Sequence, residues 1–309
     1  MKKLNLKLLV LMLAMILSMA MMTACGGSEE SEEGDASITV TDMMGNEVNL
    51  ESAPEQIVVL TASDCEILYA IGAGETVVGR GEYCDYPEEV MEIATVKSGA
   101  DTNLEEVIAL DPDVVVMGTM AQTEEQIADL RDAGIEVYVS DSKTIDDTYE
   151  NIGLLGELTG HVDEAATVVE DMKATFDEVE GMVEASDPAK TVYFEVSPLE
   201  FGLWAAGNDS FMNEIAVMLG VKNVFDDVSG FGEVSEEQVL ERNPDLIVTT
   251  TMYFGEGPTP EEELLGRKGW GGIKAVKDSN VYNADSDKIT RPGPRLANAA
   301  EDLYSFIYK

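Results

Sequence analysis

One segment of this chain occurs twice, and that recurrence constrains the fold more than any other feature. Asn103-Leu-Glu105-Glu106-Val107-Ile-Ala-Leu-Asp-Pro112-Asp113-Val-Val-Val116 aligns without gaps on Ser235-Glu-Glu237-Gln238-Val239-Leu-Glu-Arg-Asn-Pro244-Asp245-Leu-Ile-Val248. Each copy reads as an N-cap, a short helix, an x-Pro-Asp turn and a buried strand. Asn103 with Glu106, and Ser235 with Gln238, stand at capping-box spacing, where the N-cap and N3 side chains satisfy each other's free backbone N–H groups. That leaves Glu105 and Glu237 at N2, without capping duty and facing outward. A single acid in a first helical turn is ordinarily a partner for the helix dipole. Acids at matched positions in two halves suggest a paired role on two similar lobes.

The periodicity around the repeat is that of α/β layers. A hairpin comes first, 38–41 and 47–50 about a turn at 42–46 containing Gly45. The run 57–60 is a buried strand, 64–71 reads as a helix ended by Gly72, and Val77-Val78-Gly79 starts the next strand. The runs 114–117 and 137–139 are further strands with helical stretches between them, the pattern of a parallel sheet covered on both faces. From 146 to about 185 there is no proline and no strand-like run. Within it, 162–183 spaces Ala165, Val168, Val169, Met172 and Phe176 at helical intervals, and Asp187-Pro188 stops the helix. The alternation resumes with Val192-Tyr193-Phe194, 211–219, Leu246-Ile247-Val248 and Val281-Tyr282, and 296–308 forms a closing helix. The expected architecture is α/β, with two lobes of parallel-type sheets flanked by helices. An N-terminal lobe over 37–145 and a C-terminal lobe over 187–309 are joined by one long rigid helix in a linking segment, 146–186.

The N-terminus carries an export signal. Lys2, Lys3 and Lys7 precede an almost unbroken apolar run over 8–22, and Thr23 and Ala24 lead into Cys25. The run is too short to cross a bilayer comfortably, and an acidic stretch follows where a stop-transfer flank would stand. Met22-Thr23-Ala24-Cys25 resembles the bacterial lipobox, which implies cleavage after residue 24 and a lipid on Cys25. Residues 1–24 are thus read as a lipoprotein signal peptide and 25–36 as a flexible acidic tether. The expected location is extracytoplasmic, anchored to the cell membrane by that lipid.

With 61 acids against 19 Lys and Arg, the chain has a formal charge of −42, which disfavours nucleic acid and anionic lipid surfaces. Cys65 and Cys84, outside the cytosol, could pair as a disulfide or stay as free buried thiols. Support for catalysis is thin. The one histidine, His161, follows Gly160 at a helix start and reads as a solvated terminal residue. There is no G-x-S-x-G elbow and no second histidine for a zinc site. Gly72-Ala-Gly74 follows a helix and precedes a strand, the reverse of a phosphate-binding loop.

Aromatic and arginine residues recur where the strands end, and in open α/β sheets ligands sit beyond the carboxyl ends of strands. These positions hold Tyr83, Tyr86, Trp204, Phe231, Tyr253, Phe254, and the pair Arg291 and Arg295. Aromatic walls with a few cations suit a bulky, partly apolar ligand carrying carboxylate, phosphate or anionic chelate groups; the alternative for the two arginines is that they anchor the last helix to acidic neighbours. Trp270, between glycines, reads as core.

Together these residues resemble the substrate-binding proteins of ABC importers for ferric siderophores, haem and cobalamin. The resemblance rests on Asp42-x-x-Gly45-x-Glu47-Val48, Ile57-Val58-Val59-Leu60 with Glu66-Ile67-Leu68, Gly79-Arg80 with Tyr83-Cys84-Asp85-Tyr86-Pro87, both x-Pro-Asp repeats, Gly207-Asn208-Asp209-Ser210-Phe211 and Arg291-Pro292-Gly293-Pro294-Arg295-Leu296. It implies a class III periplasmic-binding fold, with residues 56–309 as one binding domain of the iron and cobalamin type. It implies a ligand in the inter-lobe cleft, no catalysis and no resident cofactor. Glu105 and Glu237 take the positions of the two acids that dock onto arginines of the permease. The implied partners are the permease with its ATPase and a small metal chelate, the carrier itself being a monomer. Tyr83-Cys84-Asp85-Tyr86-Pro87 is similar to a segment of cobalamin-binding members, while arginines at 291 and 295 suit a ferric siderophore equally well. Haem is a third alternative, with Tyr83 or a methionine as axial ligand. An extracellular hydrolase or sensor on the same scaffold is the reading from a different class.

Overall fold

The computed structural model describes residues 37–119, 122–183 and 189–308. The signal peptide, Cys25, the tether, Asp187 and Pro188 lie outside the described residues. No helix among the described residues is long and apolar enough to cross a membrane.

The chain opens on an antiparallel hairpin of β1 (Ile38–Thr41) and β2 (Glu47–Leu50), with Ile38 opposite Leu50. Asp42 Oδ1 accepts the backbone N–H groups of Met44 at 3.0 Å and Asn46 at 2.8 Å, and Gly45 takes the positive φ of 82° that closes the turn. Asp42 Oδ2 also accepts Val139 N, so the turn residue docks the hairpin on the first lobe.

That lobe is built on β3 (Ile57–Val59), β4 (Val77–Gly81), β5 (Ala94–Val96), β6 (Val114–Gly118) and β7 (Glu136–Ser140), ordered β5-β4-β3-β6-β7 and parallel throughout. Helices α1 (Ala62–Ala70), α2 (Leu104–Ala109) and α3 (Glu124–Asp132) cross between its strands. On β3, Ile57 and Val59 face one buried cluster and Val58 the other, as expected for a strand covered on both sides. Gly81 ends β4 where a Cβ would come 2.6 Å from Leu60 O, so no larger residue fits between the strands.

The linking segment is two helices, α4 (Ile145–Thr159) and α5 (Val162–Met182). Gly160, at φ 77°, ends the first in a left-handed cap, and Thr144 starts it with a capping box to Asp147. The sequence pattern identified the second helix and its start after Gly160, but expected one long helix where there are two. A Cβ on Gly156 would come 2.5 Å from that of Ala165, so these small residues let the helices approach closely. At 21 residues α5 is about 30 Å long. It packs on α4 at one side and on the closing helix of the chain at the other, so it ties the two lobes together.

The second lobe has β8 (Thr191–Ser197), β9 (Trp204–Ala206), β10 (Lys222–Asn223), β11 (Phe231–Glu233), β12 (Leu246–Thr249) and β13 (Val281–Asn283). Its order is β11-β9-β8-β12-β13, with β10 paired to β8. This sheet is mixed: β9 runs antiparallel to β8, and β11 antiparallel to β9. The link from Ser197 to Trp204 is too short for a crossover and can only turn back. Helices α6 (Phe211–Met218), α7 (Glu236–Arg242), α8 (Pro260–Gly266), α9 (Lys274–Lys277), α10 (Ser286–Thr290) and α11 (Leu296–Ile307) complete it.

The repeat is structural. In both copies the residue before proline is left-handed, Asp111 at φ 50° and Asn243 at φ 45°, a conformation that Asp and Asn tolerate better than most residues. In both, the aspartate after proline pins the start of the central strand. Asp113 Oδ2 accepts Glu55 N at 2.8 Å and Gln56 N at 2.9 Å ahead of β3; Asp245 Oδ2 accepts Thr191 N at 2.9 Å at the start of β8. The two helix starts differ. Ser235 and Gln238 form the reciprocal capping box, whereas Asn103 only accepts Glu106 N, at 3.4 Å.

One apolar cluster crosses both lobes, from Val59, Ile67 and Ile152 through Met172 and Phe176 on α5 to Phe194, Phe211 and Leu303. At its edge Phe211 N donates to Lys143 O at 2.9 Å and Ile145 N to Glu214 Oε2 at 2.6 Å, stitching α6 to the start of α4.

Candidate functional site

The parallel topology puts the ends of β3 and β4 on one edge of the first lobe, and the ends of β8, β12 and β13 on the corresponding edge of the second. Five charged side chains join these edges. Arg291, which follows α10, donates from Nη1 to Glu66 Oε1 on α1 at 2.9 Å and to Asp85 Oδ1 beyond β4 at 2.7 Å. Its Nη2 meets Asp287 Oδ1 at 2.8 Å, one helical turn earlier. Arg295 clasps the same Glu66 through Nε at 2.8 Å and Nη2 at 2.6 Å, and its guanidinium lies 4.1 Å above the Tyr86 ring. Burial opposes the charge on Arg291, yet its hydrogen bonds to Asp85 and Glu66 outweigh that cost and hold its pKa above the ordinary arginine value. Burial raises the pKa of Asp287 despite the neighbouring Arg291. The arginines read from sequence as anchors for an anionic ligand are thus engaged by carboxylates of the protein itself.

Tyr83 and Tyr86 are exposed on the loop after β4. Trp204, 41 % exposed, begins β9 opposite Ser197, which brings it to the carboxyl edge of β8. Phe231 lies lower on β11, half-buried, with its ring centroid 5.9 Å from that of Phe211, so it belongs partly to the core. Beyond β8 and β12 a recess of about 480 Å³ opens, walled by Leu199, Met252, Tyr253 and Phe254 and rimmed by Glu200 and Glu256. Phe201 is 77 % exposed and Phe254 86 % exposed, apolar surface of the kind that marks a binding region. Sequence reading named Tyr253 and Phe254 but missed Leu199, Met252 and the carboxylates Glu66, Asp85 and Asp287. The spacing of Asp287 from Arg291 was a usable signal. The pairing of Glu66 with Arg291 left none.

Beneath the recess, Glu195 is buried and chelated by Arg267, Oε2 to Nη1 at 2.7 Å and Oε1 to Nη2 at 2.8 Å. Burial raises the Glu195 pKa against the pull of Arg267. Arg267 also lies over Trp270, which is fully buried and donates Nε1–H to Glu236 Oε2 at 2.8 Å. That bond occupies Glu236 and leaves its neighbour Glu237 in solvent.

Glu105 on α2 and Glu237 on α7 are both exposed, and neither side chain bonds to another described residue. Cys65 and Cys84 are buried free thiols, which corrects the disulfide alternative. Cys84 Sγ donates to Val59 O at 3.7 Å, and the neighbouring Cys84 thiol, together with burial, pushes the Cys65 pKa up, so the Cys65 sulfur keeps its proton. His161 is the N-cap of α5, with Nδ1 2.9 Å from Thr159 O.

A two-lobed α/β molecule with aromatic side chains at its strand ends and a long helix packed against both lobes is a solute-capturing architecture. The chain belongs to the periplasmic binding protein family, whose model matches residues 57–288. It is 34 % identical over 307 residues to the uncharacterized ABC transporter substrate-binding lipoprotein YvrC of Bacillus subtilis, covering 96 % of this chain and 95 % of that one. It is 26 % identical over 254 residues to the vitamin B12-binding protein of Vibrio cholerae, covering 82 % and 89 %. A possible iron-binding periplasmic solute-binding protein from Staphylococcus epidermidis superimposes with a TM-score of 0.71 at 32 % identity, over 84 % of this chain and 100 % of that one. The protein is therefore a substrate-binding protein of an ABC transporter, and not an enzyme.

Proposed function

We propose that this protein is held at the outer face of the cell membrane by a lipid on Cys25, captures a ferric siderophore or a corrinoid in the inter-lobe cleft, and delivers it to a permease that it grips through Glu105 and Glu237. The observation that carries this reading is the pair of exposed glutamates at equivalent repeat positions, one on each lobe. A two-fold permease presents the same basic site twice, and a carrier with one acid per lobe matches it. The acidic tether from 25 to 36 keeps the carrier near its gate and raises its local concentration there. The walls of Tyr83, Tyr86 and Trp204 suit a large ligand with flat or greasy faces.

Charge reversal of both acids, Glu105→Lys with Glu237→Lys, tests the docking role. Uptake by cells should be lost while the soluble protein binds its ligand unchanged. Full uptake by the double variant would refute docking through these residues, and loss of ligand binding would mean that they belong to the cleft.

A further inference from the structure

We propose that the cleft selects a neutral or cationic ligand with broad apolar faces and rejects polyanionic chelates, because the protein's own carboxylates already occupy the cations at the strand ends. This rests on the reading of the cleft as the capture site and narrows what it captures.

The cations near the strand ends are held by carboxylates, with Arg80 the exception. Beyond β5, Lys97 Nζ meets Asp101 at 3.4 Å; beyond β7, Lys143 Nζ meets Asp141 at 2.6 Å. Arg267 is held by Glu195 and Glu263. Arg291 and Arg295 face three carboxylates, Glu66, Asp85 and Asp287, so that group of five carries one more negative than positive charge. Arg80, near the end of β4, is 5 % exposed and turns Nη1 to the carbonyls of Cys84 and Gly81, beneath the tyrosine loop rather than in the cleft.

What remains open to a ligand is aromatic or acidic. The recess in the second lobe is rimmed by Glu200 and Glu256, both exposed, with no lysine or arginine in its lining. An incoming polyanion would meet these acids and a chain of formal charge −42, and would have to displace Asp85 or Asp287 to reach a guanidinium. A neutral or cationic ligand meets no such barrier, and its apolar faces can lie on Tyr83, Tyr86, Trp204 and Phe254. Asp85 and Asp287 are then the specificity determinants. Their side chains are 43 % and 33 % exposed, against 2 % for Glu66, so they can be neutralised without opening the core.

The test is a fluorescence titration of the purified protein with five probes: cyanocobalamin, a neutral and a cationic ferric trihydroxamate, haemin, and an anionic ferric tris-catecholate. At least one neutral or cationic probe should bind tenfold or more tighter than either anionic one. The double variant Asp85→Asn with Asp287→Asn, which leaves two guanidiniums facing Glu66 alone, should gain tenfold or more for the tris-catecholate. If an anionic probe binds the native protein tightest, or if the variant gains nothing for it, the charge rule is overturned and capture by the cleft still stands. If none of the five binds, capture of such chelates falls too.

Discussion

Glu66 Oε1 and Arg291 Nη1 lie 2.9 Å apart across the two lobes, although 225 residues separate them in the chain. Both side chains are nearly shut off from solvent, and Arg295 takes hold of the same carboxylate. A charge in such surroundings is tolerable only while its partner is present. Glu66→Ala would strip the half-buried Arg295 of its carboxylate and leave Arg291 to Asp85 and Asp287, and should cost about 3 kcal/mol, the low end of the usual loss on breaking a buried pair from one side. Urea unfolding of the variant measures it. A loss below about 1 kcal/mol would mean that water or another acid already compensates the arginines.

Stability should fall as pH rises above the ordinary carboxylate range. Burial raises the pKa values of Asp64, Glu195, Glu214 and Asp287. Each such acid binds its proton more tightly folded than unfolded, so its contribution is complete below its unfolded pKa and is lost as pH climbs through its folded pKa. Asp147 and Asp245 are lowered, so they act below their ordinary value of 3.8 and do not oppose this trend above it. Scanning calorimetry from about pH 5 to 8 should therefore show Tm declining. A Tm that climbs over that interval would contradict the assignment.

The two helix starts of the repeat should respond unequally to loss of their caps. Ser235→Ala removes the acceptor of a reciprocal box, with bonds of 3.2 and 2.9 Å, and should cost about 1 kcal/mol. Asn103→Ala removes a single 3.4 Å contact and should cost about half as much. Equal losses in chemical denaturation would show that the difference in geometry carries no energy.

The chain has two tryptophans, and only Trp204 is exposed. Acrylamide should quench its emission and leave that of Trp270 almost untouched. Ligand-induced quenching should therefore vanish in Trp204→Phe and persist in Trp270→Phe, provided circular dichroism shows that the latter folds without its bond to Glu236. Persistence of the ligand signal in Trp204→Phe would move the cleft wall away from β9.

What could be read from sequence was whatever rests on short-range chemistry. Alternation placed β6 and β12, capping residues marked the starts of α2 and α7, and the x-Pro-Asp recurrence announced two related halves. In each case the backbone decides within a few residues, through hydrogen bonds to near neighbours and the period of the apolar side chains. The break at Gly160 stood at the margin of that reach, since one glycine had to be weighed against a long helical pattern.

The repeat marked Glu105 and Glu237 as outward-facing, because an N2 side chain has no local partner. It could not say that Glu236 would be drawn off by Trp270 Nε1, 34 residues on, so that Glu237 alone of that pair stays in solvent. Nor could it say that Arg291 and Arg295 would be saturated by Glu66 and Asp85, or that Cys65 and Cys84 would be buried as free thiols. Those outcomes depend on which edges the two lobes press together and on how much water is excluded there. Burial makes an unpaired charge too costly to keep, and only the tertiary structure determines which distant carboxylate supplies the partner.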